Sequence, residues 1–219
     1  MTLRRLAANL ALGLLLGGLV AAPRPAQADL SPTTLTGTFL HDDDHFLYSF
    51  NLSSPQVVTA YTTSYAGGTN LDGTTTPNGG FDPILSLFDS SGTLLDVNDD
   101  GDNAPTDPVT GSAYDSYLQD TLGPGSYTLA LTQYDNFPNG TLASGFFEDG
   151  NHTFTSQFVA PGSTSAPPFV DFDSNQRNGN FVLNVNSAAV PEPGSVALLG
   201  LGLVPLGLVA RRRLSRRDA

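Results

Sequence analysis

Phe46-Leu47-Tyr48-Ser49-Phe50-Asn51-Leu52 puts Phe46, Tyr48, Phe50 and Leu52 at alternate positions. A period of two gives a strand one buried face, whereas a helix would scatter these side chains around its circumference. The same period returns in Tyr127, Leu129 and Leu131, and again in Phe181, Leu183 and Val185. Turn signals separate such runs: Ser90-Ser91-Gly92, Asp100-Gly101, Gly123-Pro124-Gly125, Asn139-Gly140, Asp149-Gly150 and Asn178-Gly179. No segment between the two ends of the chain has the spacing of a long amphipathic helix. The pattern predicts an all-β fold, a single antiparallel β-sandwich or jelly-roll-like domain.

Strands are expected near 34–40, 45–52, 56–65, 83–89, 93–97, 116–121, 126–134, 152–158, 168–172 and 180–186. The Thr-, Gly- and Asn-dense stretch 67–80 reads as a surface loop, as do 99–114 and 163–168. Residues 187–190 read as a short link between the domain and the C-terminal segment.

The basic residues gather at the two ends. Arg4 and Arg5 precede an apolar run rich in Leu, Gly and Ala, and Ala26-Gln27-Ala28 supplies small residues two apart. This is the layout of a secretory signal peptide, residues 1–28, cleaved after Ala28. At the other end the uncharged stretch 196–210 is shorter than the roughly 20 residues that a helix needs to cross the hydrocarbon core. Arg211, Arg212 and Arg213, with Arg216 and Arg217, would keep that end in the cytoplasm. The plain reading is a marginal single-pass anchor.

The order Val190-Pro191-Glu192-Pro193-Gly194, a short apolar transmembrane segment at 196–210 and a terminal arginine cluster resembles the PEP-CTERM sorting signal of exopolysaccharide-producing Gram-negative bacteria. The resemblance implies that 188–219 is an address, read by an exosortase, a membrane-embedded cysteine transpeptidase. It also implies export, transient inner-membrane anchoring of the precursor, and then a place at the cell surface or outside the cell.

Between these ends, 29–187 form the expected domain, roughly 160 residues and long enough for a real core. Of the chain's 21 acidic residues only Glu192 and Asp218 fall outside it, while Arg177 is its single basic residue, so its net charge is near −18. Nucleic acid and anionic membrane surfaces are excluded as partners, because both are bound through Lys and Arg. With no cysteine in the chain, disulfides, thiolate metal sites and cysteine nucleophiles are excluded too. Self-repulsion must be tolerated or relieved by divalent cations.

Gly37-Thr38-Phe39-Leu40, Asp42-Asp43-Asp44-His45-Phe46-Leu47-Tyr48-Ser49-Phe50, Phe81-Asp82-Pro83-Ile84-Leu85-Ser86-Leu87-Phe88-Asp89, Asn98-Asp99-Asp100, Asp115-Ser116-Tyr117-Leu118 and Leu122-Gly123-Pro124-Gly125-Ser126-Tyr127-Thr128-Leu129 are together similar to the bacterial pre-peptidase C-terminal domain. The resemblance spans about 35–135. It implies a jelly-roll-like β-sandwich without catalytic activity, carried on secreted proteins and associated with binding to matrix polymers.

Two clusters invite metal chemistry. Asp96, Asn98, Asp100, Gly101 and Asp107 match the oxygen-ligand spacing of a calcium loop, with Asp102 beside them. The flanks read as strands and Asp107 replaces the usual glutamate, so an EF-hand is not expected. Calcium in a β context and a set of Asp and Asn turn formers both remain open. His41-Asp42-Asp43-Asp44-His45 would put His41, Asp43 and His45 on one face of an extended chain, a zinc or copper pattern short of a ligand. The favoured reading is an exposed acidic turn.

The residue patterns of common enzymes are missing: no Gly-x-Ser-x-Gly, no His-Glu-x-x-His and no phosphate loop ending in Lys. Glu148 is the domain's only glutamate, and no spacing marks a carboxylate pair. Tyr61, Tyr65, Tyr114, Tyr117, Tyr134 and Phe137 could offer stacking faces to sugars if they lie exposed near loops. The expected function is a non-enzymatic surface or matrix protein associated with exopolysaccharide or biofilm. The alternatives are a secreted Asp-dependent hydrolase and a structural surface protein without a ligand.

Overall fold

The computed structural model describes residues 30–190. Among them are ten strands: β1 Thr33–Thr38, β2 Phe46–Leu52, β3 Gln56–Thr62, β4 Gly68–Thr69, β5 Thr75–Thr76, β6 Pro83–Phe88, β7 Leu94–Asn98, β8 Tyr117–Leu122, β9 Gly125–Gln133 and β10 Asn180–Ala189. Two four-stranded antiparallel sheets run in the orders β1-β10-β3-β8 and β2-β9-β6-β7. Counting only these eight longer strands, that is the interleaved order of a jelly roll. The signal-peptide reading of 1–28, the motif Pro191, Glu192, Pro193, the span 196–210 and Arg211, Arg212, Arg213 lie outside the described residues. Within those described, no helix is long and apolar enough to cross a membrane.

The alternation in sequence becomes the interior. Along β3, Gln56, Val58, Ala60 and Thr62 are buried while Val57, Thr59 and Tyr61 are partly exposed. One sheet sends in Val58, Ala60, Leu118, Phe181, Leu183 and Val185; the other answers with Phe50, Leu52, Leu85, Leu87, Leu129 and Leu131. Each fully buried side chain of this size contributes about 1.5–3 kcal/mol of transfer free energy. The single core therefore serves both sheets.

Two segments then cover outer faces, which is why β6 is buried along its whole length. Phe146, brought in by the long connection after β9, packs on outward-facing Phe88 and Ala130 with Leu94 and Leu142 around it. On the other sheet, the expected 67–80 loop contains the small β4–β5 hairpin. Leu71 donates its N–H to Asn184 Oδ1 at 3.0 Å, and Thr34 Oγ1 donates to the same oxygen at 2.9 Å, so the hairpin is tied over β10 and β1.

Three expectations are corrected. Residues 152–158 form no strand: Phe154–Phe158 is a 3-10 turn, with Phe154 buried. Asp42 Oδ2 accepts both the N–H and the hydroxyl of Thr155, at 2.9 and 2.6 Å, which holds the segment as a turn and takes a donor that a ladder would need. Residues 168–172 make only a single bridge, Val170 to Gln176. Pro168 has no N–H to donate, and Phe169 gives its own to Asp42 Oδ1 at 2.6 Å instead of to a ladder. Finally, 187–190 is no free link, because Ser187, Ala188 and Ala189 pair with Val58, Val57 and Gln56.

The sandwich has two unlike ends. Tight turns close one, where β2 passes to β3 and β8 to β9. The connections 39–45, 63–82, 99–116 and 134–179 crowd the other. Since β10 starts at the loop-rich end and finishes at Ala189, the chain leaves the domain from the opposite end.

Candidate functional site

Antiparallel pairing gathers the acidic residues at the loop-rich end. Asp82 immediately precedes β6, and Asp99 and Asp100 immediately follow its neighbour β7, so hairpin register brings them together. A carboxylate oxygen from each of the three lies within 4.8 Å of the others. Asp135, just beyond β9, and Asp115, just before β8, stand at the same end.

The loop carrying Asp99 and Asp100 is held firmly. Asn98 Oδ1 accepts the Tyr117 N–H at 2.8 Å, and its Nδ2 donates to the Asp100 carbonyl at 3.2 Å. Gly101 N–H donates to the Asp115 carbonyl at 3.0 Å. A Cβ at 101 would sit 2.7 Å from Tyr117 Cβ, so glycine is required by close approach. Ser116 places its hydroxyl against the carbonyls of Pro83 and Asp99.

The buried carboxylates divide sharply by partner. Asp115 accepts four hydrogen bonds, from Thr62 Oγ1 and the N–H groups of Ser64, Tyr65 and Ala66. Asp42 accepts from Phe169 N–H, Thr155 N–H and Thr155 Oγ1. Asp171 accepts the Tyr65 hydroxyl at 2.6 Å and the Asn175 N–H at 2.7 Å. Asp82 differs: it is 3% exposed, and its Oδ1 has no hydrogen-bond partner. Asp99 Oδ1 is buried and unpartnered as well. Burial first, then the charges of Asp99 and Asp100, push the Asp82 carboxyl well above the usual carboxylate range. Burial, then Asp100 and Asp135, push Asp99 up to about 7. Burial also raises Asp100.

The calcium loop read from the sequence does not converge. Asp100 joins Asp82 and Asp99, but Asn98 is a brace for the turn, and Asp96 lies on β7 with its Oδ1 on the Val97 N–H. Asp102 belongs to no acidic group of this kind among the described residues. Asp107 is fully engaged elsewhere: Oδ1 accepts Asn78 Nδ2 and Val109 N–H at 2.8 Å, and Oδ2 accepts Arg177 Nη1 at 2.7 Å. Spacing in sequence points to Asp100 but not to its neighbour Asp99, nor to Asp82, which reaches the site through strand pairing. The three residues are all oxygen donors, suited to hard cations.

The histidine cluster also rearranges. His45 packs on Phe146, ring centroids 5.2 Å apart, while His152 lies 4.4 Å from His41. His152 Nδ1 meets Asp43 Oδ1 at 2.7 Å, and the Gly150 N–H donates to Asp43 Oδ2. The acidic turn is only partly exposed, since Asp42 is fully buried. An open groove lined by Gly37, Leu40, Asp43, His45, Asp149 and Phe181 runs beside it.

Beside the acidic end lies an aromatic cluster. Tyr134, whose N–H donates to the Asp82 carbonyl at 2.9 Å, meets Phe137 edge-on, stacks on Phe158 at 5.8 Å and meets Phe172 edge-on at 6.2 Å. Phe172 is 61% exposed. Tyr134 and Phe137 are among the expected stacking faces, and Phe158 and Phe172, expected in strands, join them here. Of the other tyrosines named with them, Tyr65 is wholly buried beneath Arg177, 3.8 Å from its ring centroid, and Tyr114 packs on Tyr65.

No protein-family model and no curated protein matches the chain. Among solved structures, the pre-peptidase C-terminal domain of collagenase from Bacillus anthracis is similar, at 13% identity and a TM-score of 0.33, over 71% of this chain and 88% of that one.

Proposed function

We propose that this chain is an exported, non-enzymatic β-sandwich module of the cell surface or extracellular matrix. In this reading it is anchored briefly in the inner membrane, sorted at Pro191-Glu192-Pro193 by an exosortase-type enzyme, and associated with exopolysaccharide. The observation that carries the binding role is the polarity of the sandwich. Tyr134, Phe137, Phe158 and Phe172 cluster at the loop-rich end, and β10 delivers the chain to Val190 at the opposite end. Half-buried rings with one exposed neighbour offer flat apolar faces to the C–H faces of sugars, while neighbouring carboxylates accept hydroxyl hydrogen bonds. An anchored copy would hold this end roughly 30 Å from its attachment point, at about 3.3 Å per strand residue.

Binding of the full-length protein to a bacterial-polysaccharide array, compared with Phe172→Ala and Tyr134→Ala, tests the reading. Binding that falls about fivefold or more in both variants is expected, since a stacking ring contributes of the order of 1 kcal/mol. Equal binding by all three proteins overturns it. The competing assignment, a secreted Asp-dependent hydrolase, draws on the same gathered carboxylates and would be selected by turnover of an array glycan that one Asp→Asn change abolishes.

A further inference from the structure

We propose that Asp82, Asp99 and Asp100 form a site for a single calcium ion at the loop-rich end of the sandwich. The ligand set differs from the twelve-residue loop suggested by spacing, and its occupant does not depend on which polymer the surface meets. Three observations converge. A carboxylate oxygen from each residue falls within 4.8 Å of the others, and two oxygens on opposite sides of one calcium ion, each at about 2.4 Å, are separated by about that distance. Asp82 is almost wholly buried with Oδ1 unpartnered, and buried Asp99 Oδ1 is unpartnered beside it. The other buried carboxylates, those of Asp42, Asp107, Asp115 and Asp171, all have hydrogen-bond donors.

Among the described residues no Lys or Arg is free to take the place of the ion. Arg177 is the only Lys or Arg of the described residues, and its guanidinium is occupied by Asp107, the Tyr65 carbonyl and the Gly80 carbonyl. Three carboxylates brought together without a counter-charge repel, and a buried polar oxygen without a partner is destabilising, the more so when charged. A divalent cation removes both penalties at once. The all-oxygen set excludes soft metals, and calcium is favoured over magnesium because magnesium keeps several of its waters, which the buried Asp82 side leaves little room for. The brace of Asn98 and Gly101 fixes Asp99 and Asp100, so the ligands are largely arranged before the ion arrives.

The test is isothermal titration of the EDTA-stripped full-length protein with calcium chloride at fixed ionic strength, without glycan, paired with melting temperatures. The variants are Asp82→Asn, Asp100→Asn and, as a control from the spacing-based loop, Asp96→Asn. One calcium per chain is expected, weakened at least tenfold in Asp82→Asn and Asp100→Asn and unchanged in Asp96→Asn. In EDTA, Asp82→Asn should melt no lower than the parent, because a neutral amide replaces an uncompensated carboxylate. Absence of binding to the parent, or equal binding by all four proteins, overturns the site. A neutral, protonated Asp82 that merely fills space would give the same EDTA melting result but no stoichiometric binding, and so also overturns it. Magnesium binding as tightly as calcium overturns the choice of ion. Because no glycan is present, failure here is separate from failure of the polysaccharide reading.

Discussion

Arg177 Nη1 donates to Asp107 Oδ2 at 2.7 Å with both side chains enclosed, 4% and 0% exposed. The only Lys or Arg among the described residues thus joins two loops 70 residues apart, and the same guanidinium ties down the Tyr65 and Gly80 carbonyls. In so acidic a domain, this pair closes the loop-rich end.

Replacing Arg177 by Met should destabilise the domain by about 3–5 kcal/mol, because Asp107 is left buried and charged. Chemical denaturation measures this. Adding Asp107→Leu to Arg177→Met should recover part of the loss, whereas two independent costs would simply add.

Acid should act through the same pair. Burial raises the Asp107 carboxyl, but the donors Val109 N–H, Asn78 and Arg177, with the guanidinium charge, outweigh it and hold the group below the usual carboxylate range. A depressed folded value means that its stabilisation is full above about pH 4, the unfolded value, and is lost as pH falls through the folded value. Unfolding curves between pH 5 and pH 2 should show Asp107→Asn losing this acid-side slope.

His152 should titrate above the ordinary histidine value of about 6.5, because its hydrogen bond to Asp43 and that charge favour the imidazolium. Burial pushes Asp43 up, yet the bonds from His152 and the Gly150 N–H hold it low. The His152 contribution is present below about pH 6.5 and fades as pH rises through its raised folded value, while the Asp43 contribution is present above about pH 4 and fades in acid. An NMR titration of the imidazole should find the His152 midpoint lowered in Asp43→Asn.

Phe146→Ala should cost about 3–5 kcal/mol, as truncation of a buried phenylalanine generally does. The test is whether the amides of β6 and β9, on whose side chains Phe146 packs, lose hydrogen-exchange protection. An unchanged stability would mean that the long connection after β9 is ornamental.

Sorting makes a prediction at the level of the mature chain. Protein recovered from the cell surface or the medium should end near Pro191-Glu192-Pro193, and mass spectrometry should find no peptide containing Leu201 or Arg211. Recovery of such peptides would remove the basis for exosortase processing.

The period-two runs around Phe50, Leu129 and Leu183 were legible as strands because one core face fixes both their identity and their register. What the sequence hid was the second layer of cover. Residues 152–158 and 168–172 have strand-like composition, but Asp42 takes the N–H groups of Thr155 and Phe169 that a ladder would need. The acidic site was half legible for a similar reason. Asp100 falls in a ligand spacing, while Asp99 lies between two spaced positions and Asp82, distant in sequence, reaches both only through the β6–β7 hairpin. Likewise Asp107 fits a ligand spacing, yet a partner 70 residues away claims it.

Because β10 stays hydrogen-bonded to Val58, Val57 and Gln56 through Ala189, any drag on a surface-attached copy would be delivered directly into a central strand. That strand is gripped by β1 on one side and β3 on the other, and it anchors Phe181, Leu183 and Val185 in the core. Load along the strand must shear many hydrogen bonds together and cannot peel them singly. Under the proposed attachment, that pairing would set the domain's resistance to pulling from its C-terminal end.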